Sequence, residues 1–322
     1  MSDDALVPLL LRAWESTLGG DAAWSPLSDR NFVYRIIAPG GAYILKMTGR
    51  VNPSGSDPAR KLAAEYDLLL YLKNSGVPVA VPQAADDGQH YCKHEDRFYA
   101  LTPALPHAPG AEDDLGRVFR STGAAIARLH RALAAYTGPI YSWTMDLPPR
   151  ILNDMAPIIA SRVDLEERAR FNTVIEAVRA PLTEHLNGLP SQYIHGDCHG
   201  GNILHVGEEV SGFIDLDHLP FGPRIYDLCY RLTDEGKQLV SHPPTSERWF
   251  EDIVPSLFSG YEQEISLTTG EKDAVPYMMM GICLIFTGWL FEHNILPQIA
   301  QDNLSMFFWL FEHRDRVRTS IR

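Results

Sequence analysis

Between Thr102 and Gly110 the chain reads Thr-Pro-Ala-Leu-Pro-His-Ala-Pro-Gly, and the residue pattern differs in kind on its two sides. Proline has no amide to continue a helix or a sheet ladder, so three of them in nine residues mark a break between structural regions. Upstream the pattern is that of strands. Phe32–Ile37 is rich in β-branched and aromatic side chains, Pro39-Gly40-Gly41 supplies a turn, and Tyr43–Met47 returns. One helix interrupts this sheet grammar. Asp57 suits its cap and Pro58 its first position, Leu62, Tyr66, Leu69 and Leu70 recur at helical spacing, and Gly76 and Pro78 stop it. Two more short strands are expected around the Asp86-Asp87-Gly88 turn, the second ending in Phe98–Leu101.

Downstream the apolar spacing is helical. Leu115, Phe119, Ile126, Leu129 and Leu133 form one stripe, and further helices are expected over Leu152–Ser161, Leu165–Leu186 and the apolar C-terminal third. The exception is a hairpin of Asn202–Val206 and Val210–Ile214 about Gly207-Glu208-Glu209. The chain therefore reads as α+β and bilobal. Residues 1–103 form a small β-sheet lobe with one main helix, residues 104–322 form a large, mostly helical lobe, and a cleft is expected between them.

Composition narrows the function. Twenty-eight Lys and Arg stand against 41 Asp and Glu, a net charge of −13, which argues against a general nucleic-acid binder. The four cysteines, Cys92, Cys198, Cys229 and Cys283, lie far apart and form no CxxC pair, so neither a disulfide framework nor structural zinc is expected. Asp3 and Asp4 stand where a secretion signal would carry Lys or Arg. Val275–Phe291 is uncharged but interrupted by Pro276, Gly281 and Gly288, and reads as a buried helix rather than a membrane span. A cytoplasmic protein with no nucleic-acid or membrane partner is the expectation.

The densest chemistry lies in His195-Gly196-Asp197-Cys198-His199-Gly200-Gly201-Asn202-Ile203-Leu204 and continues through Ile214-Asp215-Leu216-Asp217. Asn202 enters the hairpin and Asp215 leaves it, and the open ends of antiparallel strands lie side by side. Asp197 feeds the same end, so three oxygen-bearing side chains are expected to converge. Such a set suits Mg²⁺, which takes one or two protein carboxylates and completes its shell with phosphate and water. The Asp197-to-Asn202 interval is also that of the protein-kinase catalytic loop, and Asp215 falls where that machinery keeps its metal-binding aspartate. Upstream, Lys46 on a strand and Glu65 on the next helix stand in the order of the kinase lysine–glutamate ion pair.

With these parts in place the chain resembles the aminoglycoside phosphotransferase, choline kinase and homoserine kinase superfamily, small-molecule kinases of protein-kinase-like fold. His195-Gly196-Asp197 followed by Asn202-Ile203-Leu204 matches its H-G-D-x-x-x-x-N-[IV]-L signature. Ile214–Asp217 matches its metal motif, and Gly222–Leu228 is similar to the segment that follows. The run His195–His199 is also similar to bacterial stress-response kinases that are thought to phosphorylate proteins.

The resemblance implies roles. Asp197 is the catalytic base toward the acceptor hydroxyl, Asn202 and Asp215 bind Mg²⁺, and Lys46, supported by Glu65, binds the phosphates of ATP. Asp217 is either a second metal ligand or structural, and Asp227 braces the catalytic loop. No G-x-G-x-x-G precedes the first long strand; Pro26–Asn31 stands there, with Asn31 as a candidate nucleotide contact. Adenine is expected at the connection after Leu101, on the Thr102 carbonyl and the Ala104 amide, because Pro103 has no N–H. The implied reaction is ATP-dependent phosphorylation of a hydroxyl on a small molecule: an amino sugar, an amino alcohol such as homoserine, a choline-like amine or an aminoglycoside. A stress-response-type protein Ser/Thr kinase and a non-catalytic nucleotide-binding regulator are the rivals. A zinc hydrolase using His195, Asp197 and His199 is a third, and it leaves Lys46, Glu65 and the hairpin without a role. Trp143, Asp146, Asp154, Asp234 and Glu235 are candidates to line an acceptor pocket.

Overall fold

A computed structural model describes residues 3–28, 31–50, 57–109, 115–217, 219–239 and 247–321. The chain divides into two compact units. The first comprises Met1–His107, Ala135–Tyr141 and Ser211–Asp217; the second comprises Ala108–Ala134, Ser142–Val210 and His218–Arg322.

The first unit is built on a five-stranded antiparallel sheet. Its strands are β1 (Ala23–Pro26), β2 (Val33–Ala38), β3 (Gly41–Arg50), β4 (Cys92–His94) and β5 (Arg97–Pro103), in the order β1-β2-β3-β5-β4. Alternation along β2 and β3 sends Tyr34, Ile36, Tyr43 and Leu45 to one face. Helix α1 (Asp3–Leu11) and Trp14 cover that face; Leu10 and the fully buried Trp14 join the same cluster. A short helix, α2 (Glu15–Leu18), then meets the β2–β3 turn. A side chain at Gly40 would stand 2.1 Å from the Thr17 carbonyl oxygen, so glycine permits this contact.

Helix α3 (Pro58–Asn74) begins as its sequence requires, with the Asp57 carboxylate accepting from the Ala59 amide at 3.1 Å. Its buried stripe differs from the expected one. Leu62, Ala64, Leu68 and Leu72 are buried, whereas Leu70 is 37% exposed. Three consecutive leucines at 68–70 leave the phase of an amphipathic pattern undetermined by spacing alone. The hairpin expected about Asp86-Asp87-Gly88 is also corrected. Those residues do turn, but β4 and β5 meet at Glu95-Asp96, and between α3 and the earlier turn there is only a single bridge, from Val79 to Phe213.

The second unit is mostly helical. It holds α4 (Leu115–Ala135), α5 (Leu147–Pro149), α6 (Ala156–Arg162), α7 (Leu165–Leu186), α8 (Ile225–Leu239), α9 (Val254–Glu262), α10 (Thr269–His293) and α11 (Pro297–Ser320). A capping box of Thr268 and Glu271 starts α10. This helix is long and apolar enough to cross a membrane, yet 72% of its apolar window is buried inside the protein, as a core helix requires. Helices α4 and α9 cross at closest range through glycine. A side chain at Gly123 would stand 2.0 Å from the Leu257 carbonyl oxygen, and one at Gly260 would stand 2.0 Å from that of Arg120. Short strands frame the loop that follows α7. Two-residue β6 (Ala108–Pro109) pairs in parallel with β8 (Ile203–Gly207), and β7 (Ser191–Tyr193) pairs antiparallel with β10 (Phe221–Pro223). Between β8 and β10, β9 (Glu209–Phe213) carries the chain into the first unit.

Candidate active site

In the first unit the candidate residues stand on β3, α3 and the segment after β9. Lys46 is mid-strand, registered with Val33 on one side and Ala100 on the other, and alternation turns it away from the Leu45 core face. Its Nζ lies 3.2 Å from Asp215 Oδ1 and 3.1 and 3.0 Å from the two carboxylate oxygens of Asp217. Residues 213–217 are held in place by the Phe213 amide, which donates to the Pro78 carbonyl at 2.8 Å. Asp215 itself has φ 64°, in the left-handed region that aspartate tolerates better than most residues. Burial lowers the pKa of Lys46, but the charges of Asp217 and then Asp215 outweigh it and the net direction is up.

Glu65 lies on the same helix face as the buried residues of α3, but it does not pair with Lys46 as expected. Lys61, one turn earlier, approaches it at 3.4 Å, while the ammonium of Lys46 is taken by the two aspartates. Desolvation, and then the charge of Asp217, pushes the Glu65 carboxyl up to about 7. The Asn31 amide donates to Ser28 Oγ at 3.1 Å; Asp29 and Arg30, the middle of that loop, lie outside the described residues. The adenine contacts need correction. The Ala104 amide already donates to the Ala42 carbonyl at 2.9 Å, so it is committed to the sheet. Thr102 is registered two residues on from that pair, opposite Ile44, and the antiparallel ladder therefore points its backbone groups at β3 as well. Pro103 is the residue whose carbonyl faces the other way.

In the second unit the loop 194–202 is braced from beneath. Asp227, fully buried on α8, accepts from the amides of His195 and Gly196 at 2.8 Å each, as expected of a brace. Its third partner is His130 of α4, whose Nε2 lies 2.9 Å away and whose Nδ1 lies 2.9 Å from the Tyr261 hydroxyl on α9. Burial alone would raise the Asp227 pKa; the hydrogen bond and charge of His130, the charge of His195 and the Gly196 amide reverse it, and the net direction is down. The Asp197 side chain is 46% exposed and that of His199, 3.8 Å from it, is 37% exposed. Asn202 is nearly buried, and its Nδ2 donates to Asp197 at both the backbone oxygen, 3.0 Å, and Oδ2, 2.9 Å. Tyr230 lies against Asp197, and burial first, then that carboxylate, raises its phenol. Cys198, fully buried, has its thiol pushed well up and is no nucleophile.

These residues suit a hard cation. Asp215 and Asp217 offer oxygen and already share one cationic group, the Lys46 ammonium. In the second unit the nitrogen of Asn202 is committed to Asp197, and its amide oxygen is the side-chain atom left to meet a cation. Among the described residues no group of three or more His, Cys, Asp and Glu side chains could hold a metal, so the zinc reading has no ligand set there. His199 Nδ1 instead accepts from the Gly201 amide at 3.0 Å.

Of the acceptor-lining candidates, Trp143 is 53% exposed, Asp154 pairs with Arg150 at 3.1 Å and Glu235 with Arg231 at 3.0 Å. Asp146 precedes α5 without capping it. Asp234 accepts from the Gly200 amide at 2.9 Å. Sequence reasoning missed His130 and Tyr261. The available signal was a histidine on the apolar face of α4 between Ile126 and Leu133, since a buried imidazole needs polar partners.

A profile of the phosphotransferase enzyme family matches residues 24–262. Stress response kinase A of Shigella flexneri is 26% identical over 257 residues, covering 78% of this chain and 71% of the relative. A homoserine kinase of Hyphomonas neptunium is 27% identical over 294 residues, covering 89% of this chain and 85% of the relative. Among solved structures, a microcompartment-associated aminopropanol kinase superposes with a TM-score of 0.70 at 19% identity, covering 98% of each chain.

Proposed function

The chain belongs to the phosphotransferase enzyme family, and from that premise we propose that it transfers the γ-phosphate of ATP to a hydroxyl of a small amino-bearing molecule. Candidate acceptors are an amino alcohol of the homoserine type, an amino sugar, a choline-like amine or an aminoglycoside. The observation that carries this reading is the Asp197–Asn202 turn, an exposed carboxylate tethered by a neighbouring amide on a loop whose backbone is gripped by buried Asp227.

Asp197 accepts a hydrogen bond from the acceptor hydroxyl, orients it and takes its proton as the oxygen attacks phosphorus. Lys46 exchanges its two aspartates for the ATP phosphates, with Glu65 nearby on α3. Asn202 and Asp215 would hold Mg²⁺, with Asp217 beside them. Bound Mg²⁺ neutralises charge on the transferring phosphoryl group. Residues 1–103 serve the nucleotide, with Asn31 in its phosphate-facing loop and Thr102–Ala104 beside adenine, where the Pro103 carbonyl takes the place of the Thr102 carbonyl as the acceptor. Residues 104–322 carry the catalytic loop, the metal site and the acceptor pocket. The setting is cytoplasmic, where ATP is available.

A second reading, a protein Ser/Thr kinase, is favoured by one observation, the similarity to stress response kinase A across 78% of the chain. A thermal-shift screen of hydroxylated metabolites with a non-hydrolysable ATP analogue and Mg²⁺ separates the two. Only ligands of the folded state raise the melting temperature. A metabolite that raises it further in the presence of nucleotide supports the small-molecule reading. Stabilisation by nucleotide alone, with phosphate transfer to a generic protein substrate, supports the other.

A further inference from the structure

Helix α8 addresses the catalytic loop at two places. Asp227 and Asp234 are seven residues apart, hence on one face of the helix about two turns, or roughly 10 Å, from each other. Asp227 takes the amides of His195 and Gly196, just before Asp197. Asp234 Oδ2 takes the amide of Gly200, just after it, at 2.9 Å.

The loop between these points is already closed on itself. The Asp197 carbonyl accepts from the His199 amide at 2.9 Å and the His199 carbonyl accepts from the Asn202 amide at 3.0 Å. With the Asn202 side chain tied to Asp197, Gly200 is the middle of a turn that fixes how Asp197 and Asn202 face one another. Asp234 is therefore the attachment of that turn to the helical core.

Asp234 is held as an acceptor by two cations from its own helix, Lys237 at 3.5 Å and Arg231 at 4.0 Å. Arg231 is 92% buried by its side chain's 8% exposure, lies on the Phe119 ring at 4.4 Å, and donates through Nη2 to Glu235 at 3.0 Å. Its Nε and Nη1 are buried without a hydrogen-bond partner. The guanidinium is thus kept beside Asp234 by its own packing and by its bond to Glu235.

We infer that Asp234 is a positioning residue, which through the Gly200 amide sets the geometry of Asp197 and Asn202 for phosphoryl transfer. The inference rests on the kinase reading of Asp197. A misplacement of about 1 Å at a reacting group costs about 10²-fold in rate, and that is the scale of effect expected.

Hydrogen–deuterium exchange of the full chain, with steady-state kinetics, tests it in Asp234→Ala and Asp234→Asn. Asp234→Ala is expected to lose protection at Gly200, to lower kcat by about 10- to 100-fold, and to leave the KM for ATP within about three-fold. Asp234→Asn, whose amide oxygen still accepts from Gly200, is expected to keep the protection and recover most of kcat. Slow ATP hydrolysis serves as the rate where the acceptor is unidentified. Lost protection at Gly200 with wild-type kcat overturns the inference, as does unchanged protection in Asp234→Ala. Equal loss of kcat in both variants with Gly200 still protected in Asp234→Asn overturns it too. Wild-type kcat in Asp197→Asn, by contrast, overturns the kinase reading and leaves the exchange result standing by itself.

Discussion

Replacing Asp227 by alanine removes a fully buried carboxylate whose partners include the amides of His195 and Gly196 and the imidazole of His130. Two loop N–H groups and one ring nitrogen then lose their acceptor in the interior. Breaking a buried charged pair costs about 3–5 kcal/mol, and an orphaned buried donor about 1–3 kcal/mol, with strong overlap between the two. A loss of about 4 kcal/mol at neutral pH is expected, a fall of roughly 5–15 °C in melting temperature. The pH dependence has a definite sign. The Asp227 pKa is lower in the folded state than its ordinary value of 3.8, so its contribution is complete above that value and is lost as pH falls through the folded pKa. Urea denaturation of wild type and variant from pH 8 down to pH 3 is the assay. The gap is expected to stay constant to about pH 4 and then narrow. A variant within about 1 kcal/mol of wild type at pH 7 contradicts the reasoning, as does a gap that widens in acid.

Glu65→Gln should act in the opposite sense. The Glu65 carboxyl titrates near 7 in the folded protein against 4.5 ordinarily, so wild type loses stability as pH rises through that window, at most about 3 kcal/mol at ~1.4 kcal/mol per unit. Equal stability at pH 4 and a more stable Gln variant at pH 8 are expected in thermal melts; parallel pH profiles would refute it. Lys46→Ala should retain the fold by circular dichroism yet lose most turnover, because the cation between Asp215 and Asp217 is gone; wild-type turnover would remove Lys46 from the site. Gly123→Ala drives a methyl into the Leu257 carbonyl, and about 1–3 kcal/mol or more of destabilisation in urea is expected from the forced separation of α4 and α9. An unchanged denaturation midpoint would show that the two helices yield freely.

Much of this architecture was legible because the relevant signals are local. The Asp57-Pro58 start of α3, the Pro39–Gly41 turn and the bounds of α7 follow from capping, turn chemistry and period alone. The order of Lys46, Glu65, Asp197, Asn202 and Asp215 sufficed for the family, which the match over residues 24–262 bears out. Long-range pairing was not legible. Which acid takes Lys46 depends on where residues 213–217 lie beside Pro78, and no spacing encodes that. The Ala104 amide was misjudged because its commitment to Ala42 depends on the parity of the β3–β5 ladder, which one residue of register reverses. His130 and Tyr261 belong to the site only through the α4–α9 crossing, and two glycines far apart in sequence do not announce that they meet.

The most direct test of the account is transfer of labelled phosphate from ATP by wild type and Asp197→Asn, with calorimetric ATP affinity for both. The Asn side chain keeps the shape of Asp197 and can still meet Asn202, but it cannot take a proton. Turnover should fall by about 10²–10⁴-fold, while ATP affinity in the presence of Mg²⁺ changes by less than about three-fold, a difference worth under ~1 kcal/mol. Turnover that survives the substitution would contradict the assignment of Asp197 as the base. A collapse of ATP binding along with turnover would contradict it equally, by making Asp197 part of the nucleotide or metal site.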